Sequence, residues 1–289
     1  AEELLDKEVH PAVVARGYRL AEMKAQDILD QLSEKITEND NDILKKIAQT
    51  AMTGKGAEYS KEKLSTLAVD AVKSIIEEDK NIDKENIKIE KRVGGSVDDS
   101  ELISGIVIDK ERLSPSMPRV VKNAKIALID RELEIKKTEI DAKIEITNPG
   151  QLQSFLDQEE KMLKDMVDYV IKSGANVLIC QKGIDDMAAH YLAKAGVYTV
   201  RRTSESDMKK IAKATNGKIV TNLKDLNKDD LGFAGAVEEK KVGDEEYTYI
   251  MECKNPKAVT MLVRGGTEHV TNEIERAVTD AVGDVAAAL

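Results

Sequence analysis

The stretch from Val177 to Val200, VLICQKGIDDMAAHYLAKAGVYTV, decides the fold class because it places two strands around one helix. The apolar run Val177–Cys180 is typical of a buried strand, and residues 184–194 carry apolar side chains at helical spacing. Gly196 closes the helix, and Val197–Val200 predicts a second strand. Strands joined through a helix by short loops pair in parallel, so this stretch predicts an α/β domain.

The same alternation continues toward the C-terminus. Residues 206–215 predict a helix that stops at Asn216-Gly217, and residues 218–221 predict a third strand. Before the stretch, Ile106–Ile108 and Ile126–Ile129 are short apolar runs of the kind found in buried strands. Together these segments predict one α/β block.

Two alternating segments follow this block, residues 246–253 and 257–263. They flank Asn255-Pro256, and this pattern predicts a β-hairpin. Arg264-Gly265-Gly266-Thr267 then leads into a helix that runs toward the end of the chain.

The N-terminal side is helical. Residues 11–36 predict a long helix, and Asn39–Asp42 can cap a second one. A third helix around residues 64–76 makes the first ~80 residues all-α, before Ile87 and Ile89 alternate with charged residues. The α/β block is therefore predicted to be inserted between two parts of a mostly helical domain.

One further helix begins abruptly at Asn148-Pro149, a cap followed by the residue that suits the first helical position. Its apolar residues recur at three- and four-residue steps. Two interpretations remain open. The helix either docks along its length on its own core, or it projects and presents an apolar tip with Phe155 and Leu156 to another molecule.

Composition excludes several classes of protein. The net charge is −10 and basic residues are interleaved with acids, which argues against a nucleic-acid surface. No apolar run reaches the length of a membrane helix. Cys180 and Cys253 lie in apolar or alternating segments and are expected to be buried, reduced thiols of a cytoplasmic protein, with a disulfide between them as the less favoured alternative. We expect contact with neither nucleic acid nor membrane. Both ends fall inside helical patterns, and we expect a piece of a longer protein.

The local signals for chemistry are weak. Gly54-Lys55-Gly56 lacks the spacing of a phosphate loop, and the simpler interpretation is a glycine that stops a helix. Asp280 is a carboxylate on a small, apolar helix turn, and taken alone it is a solvated acid. The three histidines have no metal-ligand spacing, so no metal site is predicted.

Several stretches together resemble the group II chaperonins, in particular the archaeal thermosome subunits. They occur in family order over the whole chain: Val9-His10-Pro11, Gly17-Tyr18-Arg19, Thr53-Gly54-Lys55-Gly56, Gly105–Lys110, Met117-Pro118, Asn123–Leu128, Cys180–Asp186, His190–Lys194, Asn255–Val259 and Arg264–Thr267.

The resemblance implies a multi-domain α and α/β fold, in which a helical intermediate domain is interrupted by an inserted α/β apical domain with a helical protrusion. It implies equatorial helices in residues 1–38 and intermediate-domain parts in residues 39–106 and 257–289. The apical domain would cover residues 107–256, with a lid protrusion at about 140–172.

The resemblance also implies roles for individual residues. Lys55, between Gly54 and Gly56, matches the nucleotide-sensing loop, and Asp280 matches the aspartate implicated in ATP hydrolysis. ATP and Mg²⁺ would be bound mainly outside this chain, because the family's Gly-Asp-Gly-Thr-Thr phosphate loop is not in it. The residues implied to contact clients or the lid are Leu152, Phe155, Leu156, Met187, His190, Tyr191 and Lys194.

The expected function is that of an ATP-driven chaperone that encloses non-native proteins in a double ring of subunits and closes a built-in lid. The intact subunit would be an ATPase, and this chain alone would be inactive. The main alternative is a stand-alone peptide- or protein-binding α/β module without an ATP link. An enzyme acting on small molecules is a more distant third.

Overall fold

A computed structural model describes residues 1–56, 60–77, 81–135, 149–242, 245–254 and 256–289, with only the backbone of residues 149–152, 154 and 242. The chain divides into two compact units, one of residues 1–40 with Leu289 and one of residues 41–288. The helices are α1 (Glu2–Asp6), α2 (Pro11–Leu32), α3 (Asn41–Ala51), α4 (Lys61–Ser74), α5 (Pro149–Ser173), α6 (Asp186–Lys194), α7 (Glu205–Thr215) and α8 (Glu268–Ala288).

The strands form two sheets. They are β1 (Ile87–Val93), β2 (Glu101–Ile103), β3 (Ile106–Ile108), β4 (Val120–Ile129), β5 (Val177–Cys180), β6 (Tyr198–Val200), β7 (Ile219–Val220), β8 (Gly232–Val242), β9 (Glu245–Met251) and β10 (Val259–Gly265). One sheet has three strands in the order β1-β10-β2. The other has seven, in the order β3-β9-β8-β4-β5-β6, with β7 also paired to β4.

The three-stranded sheet packs against α4 and α8, α3 packs against those two helices, and we call this assembly the helical block. Its helices bury small and aliphatic residues because a 3.6-residue period places them on one face. The buried residues of α3, α4 and α8 include Leu44, Ala48, Leu64, Ala68, Val72, Ile274, Ala277, Val278 and Ala281. The sequence had predicted helical segments on both sides of an inserted block, and these segments pack together.

The seven-stranded sheet with α5, α6 and α7 forms the α/β block. Strand alternation sends Ile126 and Leu128 to the face covered by α7, and Ala127 and Ile129 to the face covered by α5 and α6. The pairs β4–β5 and β5–β6 are parallel, as the stretch from Val177 to Val200 predicted. Both faces of the central strands are therefore buried, which explains their continuous apolar runs.

The predicted hairpin around Asn255-Pro256 is wrong. Strand β9 pairs with β3 and β8 in the seven-stranded sheet, whereas β10 pairs with β1 and β2 in the other sheet. Alternation along each segment specified a strand but not its partner, and Glu252 turns the chain away with a positive φ of 58°. Asn255 itself and the cap Asn148 lie outside the described residues, as do residues 143–146, where apolar and charged side chains alternate in sequence.

The boundaries of α2 and α6 differ from the predictions for clear local reasons. Helix α2 ends at Leu32 rather than at Ile36, because Ser33 is extended with a ψ of 134° and its hydroxyl donates to the carbonyl of Asp30. Helix α6 begins at Asp186 rather than at Ile184, because Asp185 is its N-cap and accepts a 2.8 Å hydrogen bond from the amide of Met187.

In the described part of the chain, no helix combines the length and apolar character that crossing a bilayer requires.

Candidate functional site

The loop after α3 carries the glycines and the lysine singled out in the sequence. Gly54 has a φ of +77°, which an L-residue rarely adopts, so this glycine allows the helix to stop. Gly56 passes close to α8, where an added Cβ would lie 3.7 Å from the Cβ of Glu273. The loop therefore lies along the surface of α8.

Lys55 reaches Asp280 across this contact. The Lys55 ammonium donates to the Asp280 carboxylate and, at 2.9 Å, to the carbonyl of Ala51 at the end of α3. The two charged residues are 225 positions apart in sequence, and the inserted α/β block separates them. The structure thus brings the two charged residues singled out in the sequence into direct contact.

The surroundings of this pair leave the carboxylate reachable. The Asp280 side chain is 51% exposed, and that of Lys55 is 20% exposed. On the inner side of α8, Ala277 and Ala281 are fully buried, so helical periodicity places Asp280 at the edge of the packed face. A cation and an acid side by side at an exposed edge can receive a charged ligand or hold a water molecule.

Helix α6 presents a mixed surface. Ala188 and Leu192 are buried, as helical spacing predicted, and Ile184, just before the helix, is buried as well. Met187, His190 and Lys194 are exposed, and Met187 is an exposed apolar side chain at 44%. Three of the four candidate contacts on this helix therefore point toward solvent.

Tyr191, the fourth, is partly buried and packs against the core between α5 and α6. Its hydroxyl donates to the carboxylate of Glu160 on α5, and this hydrogen bond raises the pKa of Tyr191 above its usual value. Tyr191 thus links α6 to α5. Among the candidate contacts on this helix, Tyr191 is therefore a packing residue, whereas Met187 is exposed.

The two interpretations of helix α5, docked or projecting, each apply to a different part of its length. From Gln153 to Met162 the described side chains are all exposed, including Phe155 at 43% and Leu156 at 50%. Leu163 and Val167 are buried against the sheet. The side chain of Leu152 lies outside the described residues. The first part of α5 is an exposed apolar tip, and the second part is a docked amphipathic helix.

A groove beside α5 was not predicted from the sequence. It has a volume of about 310 Å³ and lies between α5, the end of β4 and the turn at residues 223–225. Its apolar lining comes from Met162, Met166, Tyr169, Ile135 and Leu223. Met162 and Met166 were part of the helical pattern, but the pattern could not show that Leu223 would lie opposite them.

Within the described ranges, no group of three or more His, Cys, Asp or Glu side chains could hold a metal ion. Cys180 and Cys253 are both free and buried, in agreement with their prediction as reduced thiols.

The whole chain, residues 1–289, matches the TCP-1/cpn60 chaperonin family. The chain belongs to this family. It is 58% identical to thermosome subunit beta of Archaeoglobus fulgidus, over 100% of this chain and 54% of that protein. Its identity with thermosome subunit beta of Methanothermobacter thermautotrophicus is also 58%, over 99% of this chain and 53% of the relative. The chaperonin chain thus spans about half the length of the curated relatives it matches.

A solved structure agrees with this assignment. The chaperonin chain matches the open-state monomer of a group II chaperonin from Methanococcoides burtonii with a TM-score of 0.73 and 48% identity, over 98% of this chain and 65% of that one. The resemblance inferred from short motifs is confirmed. A match that covers the whole chain does not favour the alternative of a stand-alone binding module.

Proposed function

We propose that this chaperonin chain is the client-binding, lid and hinge portion of an ATP-dependent molecular chaperone that encloses non-native proteins in a double ring. The observation that carries the proposal is the contact between Lys55 and Asp280, because it joins the two helical segments around an inserted block that exposes apolar side chains. Family membership and the group II likeness support it.

The proposed domains follow the two blocks. Residues 39–106 and 257–289 would form the intermediate domain, which corresponds to the helical block. Residues 107–256 would form the apical domain, with the lid protrusion at about 140–172 that includes the exposed tip of α5. Residues 1–38 would belong to an equatorial domain. The proposed partners are non-native clients and neighbouring subunits in the ring, and the proposed location is the cytoplasm.

The proposed nucleotide role rests on the chemistry of the pair. An ammonium can hold a terminal phosphate, and a half-exposed carboxylate can orient or deprotonate an attacking water. ATP supplies the transferable phosphoryl group, with Mg²⁺ as its counter-ion. One lysine and one aspartate do not make a nucleotide cradle, so the main contacts to ATP and Mg²⁺ would lie outside this chain. We expect the chain alone to hydrolyse ATP poorly.

The catalytic assignment is tested by Asp280→Ala in the full-length subunit. Loss of one positioned acid–base group lowers rates by ~10²–10⁴-fold, so we expect a hydrolysis rate lower by that order with ATP binding retained. Asp284→Ala is the matched control, because Asp284 is exposed one turn further along α8. An Asp280→Ala protein that hydrolyses ATP at the normal rate would remove the assignment.

Lys55→Met should mainly uncouple lid motion from the nucleotide.

The client surface is tested in the 289-residue chain with Phe155→Ser combined with Leu156→Ser. Both side chains are exposed, so the double variant should fold normally and should suppress aggregation of a guanidinium-unfolded enzyme less well. Ile171→Ser is the control, since Ile171 is 41% exposed on the same helix but far from the tip. Unfolding of the double variant, or undiminished suppression of aggregation, would contradict the proposal.

A further inference from the structure

Strand β1 has one face on which every side chain is charged. Its charged face consists of Lys88, Glu90 and Arg92, which alternate with Ile87 and Ile89. Parallel pairing with β10 places Lys88 beside Thr260 and Glu90 beside Leu262. Because Leu262 packs with Tyr247 and Tyr249 of β9, the charged face of β1 is turned toward the α/β block.

This charged face is nearly closed off from solvent. The side-chain exposures are 15% for Lys88, 17% for Glu90 and 5% for Arg92. Arg92 Nη1 lies 2.9 Å from Glu90 Oε1, and Lys88 Nζ lies 3.3 Å from Glu90 Oε2. Lys88 Nζ also lies 2.8 Å from Oδ1 of Asp207, whose side chain is 14% exposed. The four residues Arg92, Glu90, Lys88 and Asp207 form a continuous charged row.

Both ends of the charged row meet the α/β block. Asp207 is in the first turn of α7 and accepts a 2.8 Å hydrogen bond from the hydroxyl of Ser204, the N-cap of that helix. At the other end, the Arg92 guanidinium carbon lies 3.2 Å from the centre of the Tyr247 ring in β9. Arg92 Nε and Nη2 are buried without a hydrogen-bond partner, so the aromatic ring is their compensating contact. The charged row therefore ties β1 to two elements of the other block.

The chain crosses between the blocks at two places that lie side by side. One crossing joins β2 to β3 and the other joins β9 to β10, and the amide of Cys253 donates to the carbonyl of Ser104 at 3.2 Å. At Gly105 an added Cβ would lie 2.0 Å from the carbonyl oxygen of Ile250, so the two crossings pack backbone to backbone. Strand β1 is not part of either crossing, and it lies at the edge of its sheet opposite β2.

We propose that the charged row is a brace that holds the helical block and the α/β block in the observed arrangement, with the paired crossings as the pivot. While Lys88 binds Asp207 the charged row restrains the two blocks, and when that ion pair separates they move more freely about the pivot. Ion pairs with little exposure hold a defined geometry at little net gain in stability, so they suit a contact that can open. This inference concerns only the described residues of this chain and does not depend on the proposed ATP chemistry.

The test measures the distance between the two blocks in the 289-residue chain. Spin labels are placed on Ser74→Cys of α4 and Lys172→Cys of α5, two exposed positions, and their separation is recorded by double electron–electron resonance. The native thiols Cys180 and Cys253 are buried and stay unlabelled. Lys88→Met should convert a single narrow distance distribution into a broader one.

The matched control is Lys209→Met, which removes a lysine of α7 whose exposed partner Glu205 lies on the same helix and not across the junction. It should leave the distance distribution unchanged. Should Lys88→Met fail to fold, Asp207→Asn breaks the same ion pair and keeps a side-chain oxygen for Ser204. An unchanged distribution in the folded variant, or equal broadening in Lys209→Met, would overturn the brace.

Discussion

At the scale of single residues, burial changes the chemistry of the two thiols. Cys180 at the end of β5 is fully buried, and its Sγ lies 3.1 Å from the carbonyl of Arg131. Desolvation raises the pKa of Cys180 and that of Cys253 from 9.0 to about 12. A thiol that stays protonated in the folded protein is inert, which fits a structural role for both cysteines.

These raised pKa values predict a loss of stability in alkali. Below pH 9.0 both thiols are protonated in the folded and unfolded states, and their contribution is fully present. Above it the unfolded chain releases protons that the folded chain retains, so the free energy of unfolding falls by about 1.4 kcal/mol per pH unit for each thiol, up to about pH 12. Urea unfolding at several pH values measures this slope.

The control for the alkaline slope is the double variant Cys180→Ala with Cys253→Ala. Its absolute stability will differ, but its slope above pH 9.0 should be shallower than that of the wild-type chain. Equal slopes would mean that the two thiols do not titrate differently in the folded and unfolded states.

At the scale of elements, the two halves of α5 differ in how they are stabilised. Its second half carries Leu163, Val167 and Val170, which are buried against the sheet, whereas the described side chains of its first half are exposed. Tertiary packing stabilises a helix mainly through its buried face. The tip of α5 therefore depends on the continuity of the helix and not on contacts of its own.

This division predicts different costs for one substitution on the same helix. Leu163→Ala removes a side chain that is 3% exposed and should lower the free energy of unfolding by ~2–5 kcal/mol. Leu156→Ala removes a side chain that is 50% exposed and should cost less than ~0.5 kcal/mol. Chemical denaturation of both variants compares them directly, and equal losses would show that the tip is part of a core.

At the scale of the whole molecule, the two units differ in how much they bury. Helix α2, in the unit of residues 1–40, contains no buried residue. Helix α8, in the other unit, buries seven, including Ile274, Val278 and Val285. A helix without a packed face has only its own hydrogen bonds to hold it.

Hydrogen exchange of the 289-residue chain should reveal this difference. The amides of α2 should exchange at rates near those of an isolated helix, and those at the centre of α8 should exchange only with global unfolding. Mass spectrometry of peptic peptides measures both helices in one sample, so α8 serves as the internal reference. Protection of α2 equal to that of α8 would show that α2 has packing partners within this chain.

The sequence by itself determined the local structure and the family. Apolar runs and helical spacing predicted β4, β5 and β6, and their parallel pairing followed from the short connections through helices. Short motifs that occur in the same order as in the chaperonins identified the family. Helical spacing of apolar residues likewise predicted α6. These properties are local, because a period of two or 3.6 residues fixes which side chains share a face.

Only the tertiary structure decided which faces meet. The segments on either side of Asn255-Pro256 both alternate, yet β9 and β10 enter different sheets, because alternation carries no information about a partner. Alternation placed Lys88 and Glu90 on one face of a strand, but only folding set Lys88 against Asp207 of α7. The contact of Lys55 with Asp280 spans 225 positions and arises because α3 and α8 pack together. Long-range contacts of this kind depend on the shape of the whole assembly, which no local pattern contains.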